Sequence, residues 1–142
     1  LTSTVRVIIG QRLVRKLADP KEEYKLDKTA RVKIASDEEF GIAFKTLQDE
    51  KLAKKGSSIY DIKFYRPVPS AEHEDGYKSR IGIHEVMAIS PAIRDIILHS
   101  STSDAIEAQA KKEGMLTMLE DGLYKAARGI TSLEEVLRAV TE

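Results

Sequence analysis

Large apolar side chains recur at steps of four through the first seventeen residues. In residues 2–17, "TSTVRVIIGQRLVRKL", polar and basic residues separate them, and two further apolar residues widen the stripe. The recurring residues are Val5, Ile9, Leu13 and Leu17, and the widening ones are Ile8 and Val14. Apolar positions at this spacing form one face of an amphipathic helix. The pattern therefore predicts an N-terminal helix.

The periodicity fades over residues 18–35, "ADPKEEYKLDKTARVKIA". Mixed charge without a period is typical of a connector, and at most one short strand is predicted, near Val32 and Ile34. This segment is a candidate boundary within the chain.

A helix is predicted to begin at Ser36. Ser36 is a suitable N-cap, and Glu39 completes a capping box three residues later. One face of the helix carries Phe40, Ala43, Phe44 and Leu47. The helix is expected to end at Gly56, with the basic run Lys51–Lys55 as its solvated tail.

Two segments of period-2 alternation flank a polar loop. Ile59–Pro67 places Tyr60, Ile62 and Phe64 on one side, and Ser79–Ile89 places Ile81, Ile83, Glu85 and Met87 on one side. Alternation of this kind indicates strands. A short two-stranded sheet is predicted here.

Four short helices are predicted after residue 89, each with its own start or stop signal. The signals are Ser90 with Pro91, Gly114, the capping boxes Thr117–Glu120 and Thr131–Glu134, and Gly129. The last helix has an apolar stripe of Leu133, Val136, Leu137 and Val140. The predicted fold class is α+β, mostly α: an N-terminal helix, a middle module with an inserted helix and a short two-stranded sheet, and a C-terminal bundle of short helices.

Composition excludes several classes of protein. The 142 residues are 42% hydrophobic and 32% charged, which suits one globular domain, and no apolar run approaches the roughly 20 residues that cross a bilayer. Because 23 basic residues balance 23 acidic ones, there is no overall basic field to attract nucleic acid. With no cysteine, disulfides, thiolate metal sites and a cysteine nucleophile are excluded. The chain opens on Leu1 rather than Met, and we expect it to be a piece of a longer protein.

The loop "VPSAEHEDGYKSRIGIHE", residues 68–85, raises the question of a metal or acid/base site. It contains His73 and His84 together with Glu72, Glu74, Asp75 and Glu85. Imidazole and carboxylate suit zinc or iron, but adjacent residues of a strand point to opposite faces, so His84 and Glu85 cannot serve one centre without distortion. A solvated polar loop is the favoured interpretation, and a small metalloenzyme is an alternative. The third histidine, His99, is expected to cap a helix C-terminus.

Three collinear segments resemble one protein family. They are "QRLVRKL" (Gln11–Leu17), "FYRPVPSAEHEDGYKSRIGIHEVMAISPAIRDIIL" (Phe64–Leu98) and "KKEGMLTMLEDGLYKAARGITSLEEVLRAV" (Lys111–Val140). They resemble, in the same order, the C-terminal part of the secretion ATPases that drive type II secretion and type IV pilus assembly. Residues 18–63 are poorly matched.

The resemblance implies a piece of a hexameric motor. In that family the segment like Gln11–Leu17 closes the RecA-like ATPase core, and the nucleotide-binding motifs lie upstream. The phosphate-binding motif G-x-x-x-x-G-K-[ST] does not occur in this sequence. The implied function is therefore non-catalytic: ATP and Mg belong to the parent protein, and no activity or cofactor is expected of this fragment. The implied partners are other subunits and the inner-membrane platform protein, with a cytoplasmic location at the inner membrane.

The resemblance also implies three regions and a lost zinc site. Residues 1–17 would be the terminal helix of the core, 18–89 the middle module that holds zinc in the family, and 90–142 the C-terminal helical domain. The family's two C-x-x-C pairs would fall near residues 18–21 and 70–73, where this chain has no cysteine and His73 stands near the last thiolate position. We expect the Phe40/Phe44 helix and the strand of Ile62, Phe64 and Tyr65 to replace the zinc.

The matched family positions are expected to be structural or to lie at subunit interfaces, without a catalytic role. They are Gln11, Arg12, Arg15, Gly76, Tyr77, Arg80, Gly82, Glu85, Gly114, Asp121 and Gly122. The alternative function is a stand-alone helical module that binds protein or nucleic acid.

Overall fold

A computed structural model describes residues 3–51, 56–57, 61–99 and 102–142. The strands are β1 (Val7–Leu17), β2 (Lys21–Lys25), β3 (Lys63–Pro67) and β4 (Tyr77–Ala88). The helices are α1 (Lys28–Ala35), α2 (Glu38–Asp49), α3 (Pro91–Leu98), α4 (Ser103–Lys112), α5 (Met118–Ala127) and α6 (Leu133–Thr141). The α+β fold class predicted from the sequence is confirmed.

The predicted N-terminal helix is wrong, because residues 7–17 form a strand. β1 pairs antiparallel with β4, from Val7 opposite Ala88 to Leu17 opposite Tyr77, in a long two-stranded ribbon. A spacing of four is even, so it places residues on one face of a strand as well as of a helix. The β-branched residues of "VIIG" favour the strand, and the long partner β4 decides it.

The two strands that flank the polar loop do not pair with each other, which corrects the predicted sheet. β3 pairs antiparallel with β2, and β4 pairs with β1, so two separate two-stranded sheets form. Segment 18–35, predicted as a connector, supplies β2 and α1 instead. Ile59 and Tyr60 of the predicted strand lie outside the described residues.

The helix predicted over residues 36–56 is shorter than expected, and a further short helix, α1, precedes it in the segment predicted as a connector. The side chain of Asp27 caps α1 by accepting a hydrogen bond from the Ala30 amide at 2.8 Å. Asp37, and not Ser36, is the N-cap of α2 and accepts from the Glu39 amide at 3.0 Å. Since α2 ends at Asp49, the predicted end at Gly56 is also wrong, and residues 52–55 of the basic tail lie outside the described part of the chain.

The four C-terminal helices are confirmed, with one N-cap corrected. Ser90 and Pro91 begin α3, and Thr117 and Glu120 form a complete capping box for α5. The predicted Thr131–Glu134 box is wrong: Ser132 caps α6 by accepting from the Glu135 amide at 3.2 Å. Thr131 and Ser132 are neighbours, and the hydroxyl of Thr131 donates to the carbonyl of Arg15 instead.

The main core joins the insert to the last two helices. Phe64 of β3 and Phe40 and Leu47 of α2 pack against Leu123 of α5 and Val136 of α6. A smaller cluster places the inner face of the ribbon, with Val14 and Ile83 fully buried, on α6. A third joins α3 and α4 to the far end of the ribbon. The last two clusters therefore place the inner face of the ribbon against the C-terminal helices.

Candidate functional site

Arg15 anchors the C-terminal end of β1 to α6. Its guanidinium donates to Glu135 at 2.8 Å and to Asp75 at 3.3 Å, and its backbone amide donates to the other Glu135 oxygen at 2.8 Å. Between the pairs Arg15–Arg80 and Leu17–Tyr77, β4 contains an extra residue, and Ser79 there has a φ of 58°. This bulge brings Tyr77 to the face of Arg15, whose guanidinium lies 4.1 Å from the ring centre.

Glu135 is the most buried charged side chain of this junction, with 1% of its surface exposed. Burial alone would raise its pKa, but hydrogen bonds from Arg15 and Arg138 outweigh burial and lower the pKa from 4.5 to about 2. The carboxylate is therefore charged at neutral pH and held by two guanidinium groups.

Backbone and hydroxyl groups complete the junction. Thr131 donates to the carbonyl of Arg15 at 2.7 Å, and the amide of Leu17 donates to the carbonyl of Ile130 at 2.9 Å. The hydroxyl groups of Tyr77 and Ser132 are 2.8 Å apart. The segment that begins α6 thus satisfies the outward-facing backbone groups at the end of β1.

Helix α5 closes the outer edge of β4. Asp121 accepts from the backbone amide of His84 at 2.8 Å and from the ammonium group of Lys125 at 2.7 Å. Lys125 also donates to the carbonyl of Gly82 at 2.8 Å, and Glu85 accepts from the amide of Met118 at 3.2 Å. An edge strand whose backbone groups are satisfied in this way is protected from pairing with another chain.

Two matched glycines are required by close contacts. At Gly76, where φ is 75°, a Cβ would lie 2.6 Å from Cβ of Pro67. At Gly122 a Cβ would lie 2.5 Å from Cγ1 of Val136, so this glycine lets α5 and α6 approach each other. Both positions exclude larger side chains.

The structure thus gathers most matched positions into two contact sets. Arg15, Gly76 and Tyr77 belong to the β1–α6 junction, and Gly82, Glu85 and Asp121 belong to the β4–α5 contact. Gly122 lies where α5 meets α6. The remaining four lie elsewhere: Gln11, Arg12 and Arg80 are exposed on the ribbon, and Gly114 follows α4 with a φ of 98°. Their expected roles stay predictions.

Sequence reasoning missed Glu135, Thr131 and Lys125. Glu135 lies next to the apolar stripe of the last helix, and in a sequence it looks like an ordinary first-turn acid. The spacing of Asp121 and Lys125, four residues apart in a helix, was a usable signal for an ion pair. Asp121 and Lys125 also bond to backbone groups of β4. Those bonds could not be predicted, because the sequence did not show that β4 lies beside α5.

The three histidines have separate surroundings. The backbone of His73 bonds within its own turn, donating to the Ser70 hydroxyl at 3.0 Å. His84 lies 3.8 Å from Asp121, and Nδ1 of His99 lies 2.8 Å from the carbonyl of Asp95 at the end of α3. The expected capping role of His99 is confirmed, whereas Ser100 beside it lies outside the described residues.

The two segments that correspond to the family's zinc ligands do not suit a zinc ion. Their residues are Ala, Asp, Pro and Lys at 18–21 and Ser, Ala, Glu and His at 70–73. Within the described ranges, no group of three or more His, Cys, Asp or Glu is placed to hold a metal ion. Hydrogen bonds hold the first segment: the Ala18 amide donates to the carbonyl of Gly76 at 2.9 Å, and Lys21 donates to the carbonyl of Gly129 at 2.8 Å.

These groups bind one another, so the arrangement defines a structural junction that fixes a β-ribbon to a helical domain. A family model described as Type II/IV secretion system protein matches residues 1–138. The chain belongs to this family.

Similar proteins come from both branches of that family. The chain is 36% identical over its whole length to the type IV pilus assembly ATPase PilB of Pseudomonas aeruginosa, and 37% identical to the type II secretion system protein E of Xanthomonas campestris pv. campestris. It is 34% identical over its whole length to the type II secretion system ATPase E of Vibrio cholerae. The chain spans 22% of the length of the first two relatives and 24% of the third.

In the part of the chain that the structure describes, every helix is too short or too polar to cross a membrane.

Proposed function

We propose that this chain is the C-terminal, non-catalytic part of a hexameric ATPase that powers type IV pilus assembly or type II secretion. It holds subunits together and contacts the inner-membrane platform protein from the cytoplasmic side. ATP and Mg bind in the remainder of that longer protein. Family membership supports this proposal, as do the activities for which the relatives are named and the small share of their length that the chain covers.

The observation that carries the proposal is a surface of the ribbon that the described residues of this chain leave uncovered. Backbone groups of alternate residues in an antiparallel strand point to the same edge. Because those of Arg15 point away from β4, toward α6, those of Ile9, Gln11 and Leu13 point the same way, beyond the part that α6 closes. This open edge is where a further strand of a longer protein would add.

The face of the ribbon turned away from the helices is apolar at the same end. By the pairing register, Val7, Ile9 and Leu13 share this face with Val86, and these side chains are 48–62% exposed. Covering such side chains contributes roughly 1.5 to 3 kcal/mol for each one fully buried. We call the open edge and this apolar face together the ribbon surface, and we propose that the preceding part of the longer protein covers it.

The experiment replaces ribbon-surface residues in the longer protein. Ile9→Asp and Leu13→Asp are expected to disrupt assembly of the hexamer, seen by light scattering, and to abolish pili or secretion in cells. Ile42→Asp is the matched control, because Ile42 is an exposed apolar residue of α2, 47% exposed and away from the ribbon. If all three variants assemble and function alike, the proposal is wrong.

A stability measurement separates lost docking from lost folding. In the 142-residue chain alone, Ile9→Asp is expected to leave the urea midpoint nearly unchanged, since the side chain is already exposed. A large loss of stability in that chain would show that the assembly defect comes from unfolding and would remove the support for docking.

A further inference from the structure

Helices α3 and α4 are attached to the remainder of the chain through a small core of their own. Among the described residues, neither helix contributes to the main core or to the cluster that places the ribbon on α6. The buried members of the third cluster are Ile89, Ile93 and Ala110, and the last two belong to the helix pair itself. Little buried apolar contact therefore holds this pair of helices against the ribbon.

Polar contacts hold the two helices to each other. The Ser90 hydroxyl, which caps α3, donates to the Glu113 carboxylate at 2.9 Å, and Gln109 of α4 donates to the same carboxylate oxygen at 2.7 Å. Between described residues, the side-chain hydrogen bonds and ion pairs of both helices stay within residues 90–113. The start of α3 and the end of α4 are thus joined, and the two helices form one unit.

Unfilled space surrounds the segment that joins α4 to α5. Three cavities of about 200, 300 and 330 Å³ lie there, and Met115 lines all three. A rigidly held element is close-packed on its neighbours, so this space leaves α4 room to move. Gly114 has a φ of 98°, which favours glycine, and no described atom beyond its chain neighbours lies within 4 Å of the position of a Cβ. The joint at residues 114–116 is therefore loosely packed.

The second joint lies where β4 runs into α3. The amide of Ile89 still belongs to the ribbon, since it donates to the carbonyl of Arg6 at 2.8 Å, whereas Ser90 is already the N-cap of α3. The hydrogen bond between Ser90 and Glu113 places this joint next to the one that begins at Gly114. Two joints side by side at one end of a rigid unit define a single hinge axis.

We infer that α3 and α4 pivot as one rigid unit about these joints, at residues 89–90 and 114–116. The pivot changes the width of the cleft of about 300 Å³ between α4 and the end of β1 that carries the open edge. The cleft is lined by Ser103, Ile106 and Glu107 of α4 and by Ile8, Ile9 and Gly10 of β1. A strand added to that edge would lie beside α4 and limit the pivot.

The inference is tested with pairs of spin labels on the 142-residue chain. Because the sequence contains no cysteine, two introduced cysteines carry the labels without other changes. Lys16→Cys, at the anchored end of β1, is combined with Ala108→Cys in α4 and, separately, with Leu98→Cys in α3; all three residues are exposed. Double electron–electron resonance measures the distribution of distances between the two labels.

Both distributions should be at least twice as broad as that of a matched control pair, Lys16→Cys with Lys45→Cys. Lys45 is also exposed, but it belongs to α2, which packs in the main core. The control pair therefore reports the width that the labels themselves produce.

A second set of variants changes the joint between α4 and α5. Met115→Ala enlarges the space around this joint and should broaden both distributions by at least half. Leu116→Ala is the matched control, because Leu116 is 47% exposed and, of the three cavities, lines the one of 330 Å³. It should leave the widths unchanged, and thermal melts check that each variant is folded.

Three results would overturn the inference. They are distributions as narrow as that of the control pair, broadening for one helix without the other, and equal effects of Met115→Ala and Leu116→Ala. Because these measurements need only this chain, their failure leaves the proposed role in a secretion motor untouched.

One expectation rests on the proposed function as well. In the assembled longer protein, where a strand is proposed to cover the open edge of β1, the distribution for Lys16→Cys with Ala108→Cys should narrow to the width of the control pair. An unchanged width there would refute the link between the pivot and the open edge.

Discussion

The two edges of the β1/β4 ribbon differ in how the chain treats them. The edge of β4 is closed by side chains of α5, where Asp121 and Lys125 satisfy an amide and a carbonyl of the strand. Among the residues that the structure describes, α6 closes the edge of β1 near Arg15, and no other segment bonds to this edge from Ile9 to Leu13. The ribbon thus has one closed edge and one open edge. Residues at the closed edge stabilise this chain, whereas residues at the open edge are available to a neighbour.

The largest loss of stability is expected when the bonds between the end of β1 and α6 are removed. Glu135→Ala removes the acceptor of the Arg15 backbone and side chain and leaves two guanidinium groups without their buried partner. Breaking a buried pair costs about 3 to 5 kcal/mol, and the exposure of Arg15 to water favours the lower end of that range. Urea unfolding measures the loss. Glu135→Gln keeps an oxygen acceptor and should cost less; an equal loss would contradict a role for hydrogen bonding.

Acidic pH should weaken the β1–α6 junction in the unmodified chain as well. The pKa of Glu135 is lowered on folding from 4.5 to about 2, so the carboxylate stabilises the chain fully above pH 4.5 and loses this contribution as the pH falls toward 2. The shift corresponds to a contribution on the order of 3 kcal/mol. The free energy of unfolding, followed from pH 5 to pH 2, should fall less steeply in Glu135→Gln than in the unmodified chain. Parallel curves would show that other carboxylates dominate acid unfolding.

A smaller effect is expected where the two closing helices meet. Gly122→Ala places a Cβ against Val136, which separates α5 from α6, and overpacking of this kind costs typically 1 to 3 kcal/mol. Gly41→Ala is the matched control in α2, because no described atom beyond the neighbouring backbone of its own helix lies within 4 Å of the added Cβ. That variant should gain up to about 1 kcal/mol from helix propensity. Thermal unfolding should therefore shift in opposite directions, and a shared direction would refute the packing argument.

The smallest effect on stability is expected for a substitution on the ribbon surface. Ile9→Thr should change the stability of this chain by less than about 0.5 kcal/mol, since Ile9 is 62% exposed. Val14→Thr, five residues later and fully buried on the other face, should cost about 2 kcal/mol from lost burial and an added hydroxyl. Chemical unfolding of the two variants gives the comparison. Equal losses would mean that Ile9 is covered within this chain.

The sequence predicted local secondary structure better than it predicted which strands pair. The four C-terminal helices, the Thr117–Glu120 capping box and the strand character of residues 79–88 could be predicted, because caps and alternation are local. The nature of residues 7–17 could not, since a step of four fits both a helix and a strand, and only the distant β4 decides between them. The wrong sheet pairing has the same origin: neighbours in sequence were joined, whereas β2 and β1 were the true partners.

In the candidate site, too, individual positions could be predicted but their contact partners could not. The positions taken from the family resemblance lie mostly in two contact sets, but their partners Glu135, Thr131 and Lys125 were not predicted. Thr131 seemed to be a cap because its neighbour Ser132, the true cap, offers the same hydroxyl chemistry. A capping signal tells where a helix begins to within a residue, and it does not tell which hydroxyl is needed elsewhere.

The junction between β1 and α6 also has a consequence for the order of synthesis. The amide of Arg15 and the carboxylate that receives it are 120 residues apart, so β1 is synthesised well before the helix that closes its end. Until α6 has been synthesised, the backbone groups of Arg15 lack these partners and are available to other strands, including those of neighbouring nascent chains. Removal of the last dozen of these 142 residues would therefore open the end of β1 as well as remove α6.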